Sequence, residues 1–270
     1  MSGFSAEWLA LREPYDRVAR NPAVLDAVAL AFSQHVSISV VDLACGTGST
    51  LRAITAHLPP RQSWRLLDNN LGLLAQAAAL NVPPCVTVLA KPMDLVRDLE
   101  FALEGPLDLV TASALLDLVS AQWLERFITE TAARRLPVYA ALTYNGAVEI
   151  EPSIAPDGDI VDYFNAHQRT DKGFGPALGP AAAARIIEGF GRVGYAVLHE
   201  RSDWVLGPGD RVIQEALFVA WAQLPATRNA GVSHDASERW LAARQQILEQ
   251  GRSHLRIGHV DIFARPMGAR

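Results

Sequence analysis

The sequence predicts a doubly wound α/β fold, with a mainly parallel seven-stranded sheet and helices on both faces. Three observations carry this expectation. Five short apolar runs alternate with helix-period segments between positions 37 and 144, the pattern of strands joined by helical crossovers. Those runs are apolar almost without interruption, as strands covered on both faces are. Two further strand-like runs, near 195–206 and 254–266, follow later in the chain.

Taken in order, "SAEWLALREPYDRVAR" and "PAVLDAVALAFSQH" carry apolar residues at helical spacing and are divided by "NP", a natural break. "SISVVDLA" reads as the first strand, and "STLRAITAHL" as its helix, stopped by Pro59 and Pro60. "WRLLDNN" and "LGLLAQAAAL" make the second strand and helix, and "CVTVLA" and "DLVRDLEFAL" the third pair. "LDLVTAS" is the fourth strand, followed by "AQWLERFITETAARR", for which Ser120 can serve as N-cap. "PVYAALTY" is the fifth. Residues 145–180 are rich in Gly, Pro and charge, and the irregular stretch around Pro152 to Pro180 reads as a loop of the kind that carries function. A helix ("AAAARIIEGFGRV"), a strand ("YAVLHERSDWVL"), two helices ("DRVIQEALFVAWAQL", "ASERWLAARQQILEQ") and a last strand ("HLRIGHVDIFARP") complete the chain.

No repeat, low-complexity tract or linker divides the 270 residues, so the expectation is one domain. Within it, 1–35 form an N-terminal helical cover and 36–150 a cofactor-binding core. Residues 151–180 form a substrate loop, and 181–270 the C-terminal helices and last two strands. The composition, 50% hydrophobic and 20% charged, suits a globular protein with a sizeable core. A formal net charge of −5 without any basic block disfavours a nucleic-acid partner. No apolar run is long enough to span a bilayer and the N-terminus lacks a signal-peptide core, which points to a cytoplasmic protein with no membrane partner. Cys45 and Cys85 both lie in apolar surroundings and read as buried, reduced thiols. The histidines never fall at i, i+4 and the cysteines are isolated, so no metal site is expected. Oligomeric state is left open.

The stretch "VVDLACGTGST" places Asp42 at a strand end, with Gly46 and Gly48 between strand and helix. Such a turn lets a ligand approach the backbone closely. In doubly wound sheets ligands bind at the carboxyl ends of the strands. No lysine follows the glycines, which excludes a P-loop, and Leu51 occupies the position where a dinucleotide fingerprint needs a third small residue.

"DLACGTG" resembles the first motif of class I S-adenosylmethionine-dependent methyltransferases, an acid followed four and six residues later by glycines. Further landmarks of that family follow in order: Asp68 in "RLLDNN", Asp94 in "KPMDLV", and "LDLVTASALLDLVS" after them. The resemblance covers roughly 40–144 and implies a Rossmann-like methyltransferase fold with S-adenosyl-L-methionine as cofactor and S-adenosyl-L-homocysteine as product. It places the backbone of Ala44, Gly46, Thr47 and Gly48 beside the methionyl part, and Asp42 near its ammonium. It also puts Asp68 on the ribose hydroxyls, Asp94 beside the adenine amino group, and Ser113 with Ala114 under the sulfonium, with Asn69 and Leu95 as further cofactor-binding residues. Bland readings stay open: Asp68 or Asp94 as helix caps, Asp117 as a turn residue, and Arg12 and Arg20 as surface residues eight apart on one helix. Arg20 has a second reading, pairing the cofactor carboxylate.

Methyl transfer from a sulfonium is an in-line displacement that needs alignment and, for some acceptors, a base. The motif that methylates nucleobase amines is missing after the fourth strand, where "TASALLD" stands. The polar segment "DYFNAHQRTDKGFGPALGP" offers His167 as a base, and Asp162, Arg169 and Lys172 as substrate contacts. Asp117 and Tyr144 are the other catalytic candidates. The expected acceptor is an N or O atom of a small, acidic molecule. The alternatives are a catalytically inactive cofactor-binding regulatory or assembly protein and, less favoured, an NAD-dependent oxidoreductase.

Overall fold

The run Ser37–Leu43 (β1) buries all but its first and third residues, so the strand lies in the interior of a sheet covered on both faces. β1 pairs in parallel with β2 (Arg61–Asp68) on one side and β4 (Leu109–Ser113) on the other. β3 (Val86–Pro92) extends the parallel half beyond β2, and β5 (Val138–Glu151) beyond β4. β8 (His254–Pro266) then runs antiparallel between β5 and β6 (Tyr195–Arg201), giving the order β3-β2-β1-β4-β5-β8-β6. This computed structural model describes residues 4–224 and 233–267.

The sheet has eight strands rather than seven, because the run read as one strand at 195–206 breaks after Arg201. Its second part, β7 (Trp204–Leu206), pairs with another stretch of β8. The architecture is otherwise the doubly wound, mainly parallel one expected. On one face, α5 (Leu99–Ala102), α6 (Ala121–Ala133) and α8 (Ala182–Arg192) pack Leu99, Phe127, Ile186 and Phe190 over the strands. On the other, α2 (Pro22–Phe32), α3 (Ser49–Ile54) and α4 (Leu71–Ala78) bury Val24, Phe32, Ile54 and Leu74. A third apolar cluster joins β7 and β8 to α7 (Asp157–Gln168), α9 (Arg211–Gln223) and α10 (His234–Glu249), around Phe218, Trp221 and Trp240.

The segment expected as a long loop is mostly ordered structure. β5 continues to Glu151 through two shifts in its register with β8, and α7 follows. The polar composition hid this helix, which a few apolar residues (Ile160, Val161 and Phe164) and one buried ion pair hold in place. Asp157 accepts from Arg244 Nε at 3.1 Å and from Trp240 Nε1 at 2.8 Å, and pairs with Arg244 Nη2 as well. Conversely, the helix read over 94–103 shrinks to the four residues of α5, preceded by a turn. Cys45 is buried as expected, but Cys85 is exposed at the start of the edge strand.

Candidate functional site

The strand order reverses between β1 and β4, and at such a point the crossovers diverge and leave a crevice at the carboxyl ends of the strands. The glycine loop leaves β1 on that side. Ala44, Gly46 and Gly48 all have left-handed φ values, 52°, 55° and 83°, a conformation that costs a glycine little and an alanine more. A Cβ on Gly48 would sit 2.6 Å from Leu80 Cδ1, and one on Gly46 would sit 3.1 Å from Leu9 Cδ1. Leu9 belongs to α1 (Ala6–Ala19), which lies across the loop. Arg52 fastens the two together, gripping Glu13 of α1 at 2.5 and 2.6 Å and the Thr47 carbonyl at 2.6 Å.

Asp68 closes the loop from the neighbouring strand. One carboxylate oxygen accepts the Gly46 N–H and the other the Asn70 N–H, each at 2.8 Å. The helix-capping reading of Asp68 is excluded, since the Asn70 side chain caps α4 through Gly72 and Leu73. Asp94 does cap locally, accepting from Val96 N at 3.0 Å and Arg97 Nε at 2.8 Å. Together Ala44, Asp68, Asn69, Asp94 and Leu95 line a pocket of about 280 Å³, with Met93, Val96 and Arg97 alongside. Lys172, Gly173 and Phe174 complete its wall. The loop expected to meet only a substrate therefore borders the same pocket as the strand ends.

Under the loop lies a buried polar chain. Asp42 is fully buried, and its Oδ1 accepts the Thr111 hydroxyl at 2.7 Å. Its Oδ2 has no partner among the described residues. Burial pushes its carboxyl up to about 7, against the pull of Thr111, Arg20 and Thr50. Ser113 Oγ accepts from both Arg20 Nη2 and the Thr50 hydroxyl at 3.0 Å. Arg20 is not a surface residue. It is 4% exposed and also donates to Tyr139 Oη at 3.1 Å, which in turn donates to Asp261. Arg12 is likewise drawn inward, paired with Asp16 at 2.8 Å and lying 5.0 Å over the Trp204 ring.

Beyond Ser113 a second group gathers. Asp117 is buried with Oδ1 unpartnered, and burial raises its carboxyl to about 6 against the backbone amides of Asp117 and Tyr144 and the charges of Arg12 and Lys172. Tyr144 donates to Asn165 Oδ1 at 2.7 Å, and burial together with Asp117 pushes its phenol up. Opposite Tyr144 in the β5–β8 register stands His259, which the sequence reading missed. Its ring lies 6.0 Å from Tyr144 and 5.4 Å from Trp204, and its Nδ1 is unpartnered. Burial, aided by Arg12, lowers it to about 3, so this imidazole is neutral. His167, on α7, has Nδ1 3.2 Å from the Lys172 ammonium. Asp162 and Arg169 are exposed on and just after α7 and do not line the pocket, although the Arg169 charge reaches Tyr144.

Among the described residues, no group of three His, Cys, Asp or Glu is placed to hold a metal ion, and no helix is long and apolar enough to cross a membrane. No family model and no curated protein matches this sequence. Solved structures similar in chain path include an S-adenosylmethionine-dependent methyltransferase from Thiobacillus denitrificans in complex with S-adenosyl-L-homocysteine, at 14% identity and TM-score 0.45, covering 99% of each chain. A methyltransferase from Geobacter sulfurreducens with the same ligand is 15% identical at TM-score 0.46, over 99% of this chain and 100% of that one. A cyclopropane-fatty-acyl-phospholipid synthase-like protein from Lactobacillus casei is 13% identical at TM-score 0.49, over 97% of this chain and 94% of that one. The architecture described above stands on the protein's own strand order and pairing.

Proposed function

We propose that this chain is an S-adenosylmethionine-dependent methyltransferase acting on a small molecule. The observation that carries the proposal is the pocket itself. Ala44, Asp68, Asn69, Asp94 and Leu95, expected cofactor contacts at or just past the ends of three different strands, line one cavity at the carboxyl ends of β1 to β3. Its donor set fits the cofactor. Asp68 spends one acceptor site per oxygen on backbone N–H groups, and a carboxylate oxygen has a second site free for a ribose hydroxyl. Asp42, fully buried, lies outside that lining. No phosphate cradle is needed, and α3, with only six residues, offers a poor one.

When bound, S-adenosylmethionine supplies an electrophilic methyl group on its sulfonium. The chain's part is to hold the acceptor in line beside Ser113 and keep water out, a task in which α1 and the 171–175 turn serve as covers. Asp117 rather than His167 takes the acceptor proton. It is four residues past the end of β4, and its raised carboxyl is largely ionised above about pH 6. Neutral His259, with Nδ1 unpartnered, orients the acceptor by a hydrogen bond. We take the acceptor to be a small molecule that carries an acidic group and reacts at N or O, with Lys172 on the cavity wall nearby.

Thermal melting tests the cofactor assignment. S-adenosylhomocysteine at 100 times its dissociation constant should stabilise the protein by about 2.7 kcal/mol, and NAD should not. No shift with millimolar S-adenosylhomocysteine, or an equal shift with NAD, refutes the assignment.

A further inference from the structure

We propose that the turn from Asp171 to Gly175 is a cofactor-selecting wall, with Phe174 as the ring that faces the purine. This rests on the methyltransferase reading above and deepens it, because it gives the insertion a role in cofactor recognition. Three walls of the pocket come from strand ends, and the fourth comes from Lys172, Gly173 and Phe174, far along the chain.

That wall is held in place by bonds of its own. Asp171 Oδ1 accepts the N–H groups of Gly173 at 2.6 Å and Gly175 at 3.0 Å, which fixes the turn. Both glycines have left-handed φ values, 105° and 85°, which a side chain would strain. Beyond the turn, Ala177 bridges Ser120, Leu178 N donates to the Val119 carbonyl and Gly179 N to the Asp117 carbonyl, each of these two at 2.8 Å. The turn is thus registered against the loop that follows β4, the same loop that carries Asp117.

Phe174 is backed by a rigid aromatic support. Its ring meets Trp123 edge-on, with centroids 5.4 Å apart at 80°. Trp123 is stacked on Phe127 at 5.5 Å and donates its Nε1–H to the Leu95 carbonyl at 2.7 Å. The same indole therefore supports Phe174 and holds the backbone of Leu95, another residue that lines the cavity. Half-buried Phe174 faces a cavity of about 280 Å³, near the lower limit of ligand pockets and suited to part of a cofactor rather than all of it. An apolar ring above, and the carboxylates of Asp68 and Asp94 at the rim, match a nucleoside: a flat π face bounded by N–H and O–H donors.

Calorimetric titration of the full chain with S-adenosylhomocysteine, and separately with 5′-methylthioadenosine, tests this in Phe174→Ala, Phe174→Leu and Phe174→Tyr. Loss of base stacking should weaken S-adenosylhomocysteine about tenfold or more in the alanine and leucine variants. The tyrosine variant should stay within about threefold of wild type, because a ring is restored. Methylthioadenosine, which lacks the amino acid part, should lose the same factor as S-adenosylhomocysteine. Wild-type affinity in Phe174→Ala overturns the proposal, and so does full rescue by leucine, which would make Phe174 only an apolar plug. Phe174→Tyr keeps the packing on Trp123, so retained binding there together with loss in Phe174→Leu separates recognition from misfolding. If the wild type binds neither compound, the methyltransferase reading fails first and this proposal with it.

Discussion

Replacing Asp42 by asparagine should change how stability depends on pH. The side chain is fully buried, and its carboxyl is raised from 3.8 to about 7 by desolvation. Between those values the folded chain holds a proton that the unfolded chain has released. Stability from this group is therefore complete below about pH 4 and is lost as pH rises through about 7. Each pH unit in that window costs about 1.4 kcal/mol, so the step from pH 5 to pH 8 costs about 3 kcal/mol. Asparagine keeps an oxygen for the Thr111 hydroxyl and does not titrate. Urea unfolding of both proteins at the two pH values isolates the effect, since Asp117 and His259 titrate alike in each and cancel in the difference. The variant should gain about 3 kcal/mol relative to wild type on going from pH 5 to pH 8. An equal pH dependence in the two proteins would show that Asp42 is already ionised at pH 5, and the reasoning from its burial would fail.

Asp68→Ala should weaken S-adenosylhomocysteine binding by about 1.5–3 kcal/mol. It should also lower the melting temperature of the unliganded protein, because the Gly46 and Asn70 N–H groups lose their acceptor. Unchanged affinity in a folded variant would take the ribose off Asp68. Asp157→Ala leaves Arg244 buried without its partner and should cost about 3–5 kcal/mol in urea unfolding. Arg97→Ala removes a pair whose arginine side chain is 75% exposed and should cost less than about 1 kcal/mol. Similar costs for the two would contradict the anchoring role given to Asp157. With an acceptor found by labelled-methyl screening, turnover should rise with pH through about 6 and then level off, following Asp117. Asp117→Asn should lower turnover and remove that limb, whereas a limb that persists would assign it to another group.

The glycine loop and its acids were legible because each is local. A strand, a turn and a helix are specified within a dozen residues, and the strand-end carboxylates recur at the spacing of successive crossovers. The second polar group was not legible, because β8 brings it together. His259 and Asp261 sit in the last strand, and only its antiparallel pairing with β5 sets them against Tyr144 and Tyr139. Their one sequence signal was two polar residues inside an apolar run, "GHVDIF". Arg12 and Arg20 were misread as surface for a related reason. α1 packs Trp8, Leu11 and Tyr15 against the third apolar cluster while Arg12 lies over Trp204, and Arg20, just past its end, reaches Ser113, so its inward face mixes apolar residues with charges. α7 was missed because its few inward apolar residues are surrounded by polar ones, and part of its anchoring is the pairing of Asp157 with Arg244, far apart in sequence.

The central claim is that the cavity at the ends of β1 to β3 is the adenosine site of a methyl-transfer cofactor. A crystal structure grown with S-adenosylhomocysteine tests it most directly. The expected result is the ribose on the Asp68 carboxylate, the purine against Phe174, and the homocysteine part running over Ala44 to Gly48 toward Ser113. Ligand density elsewhere on the chain, or an empty pocket in crystals soaked to saturation, would contradict the account.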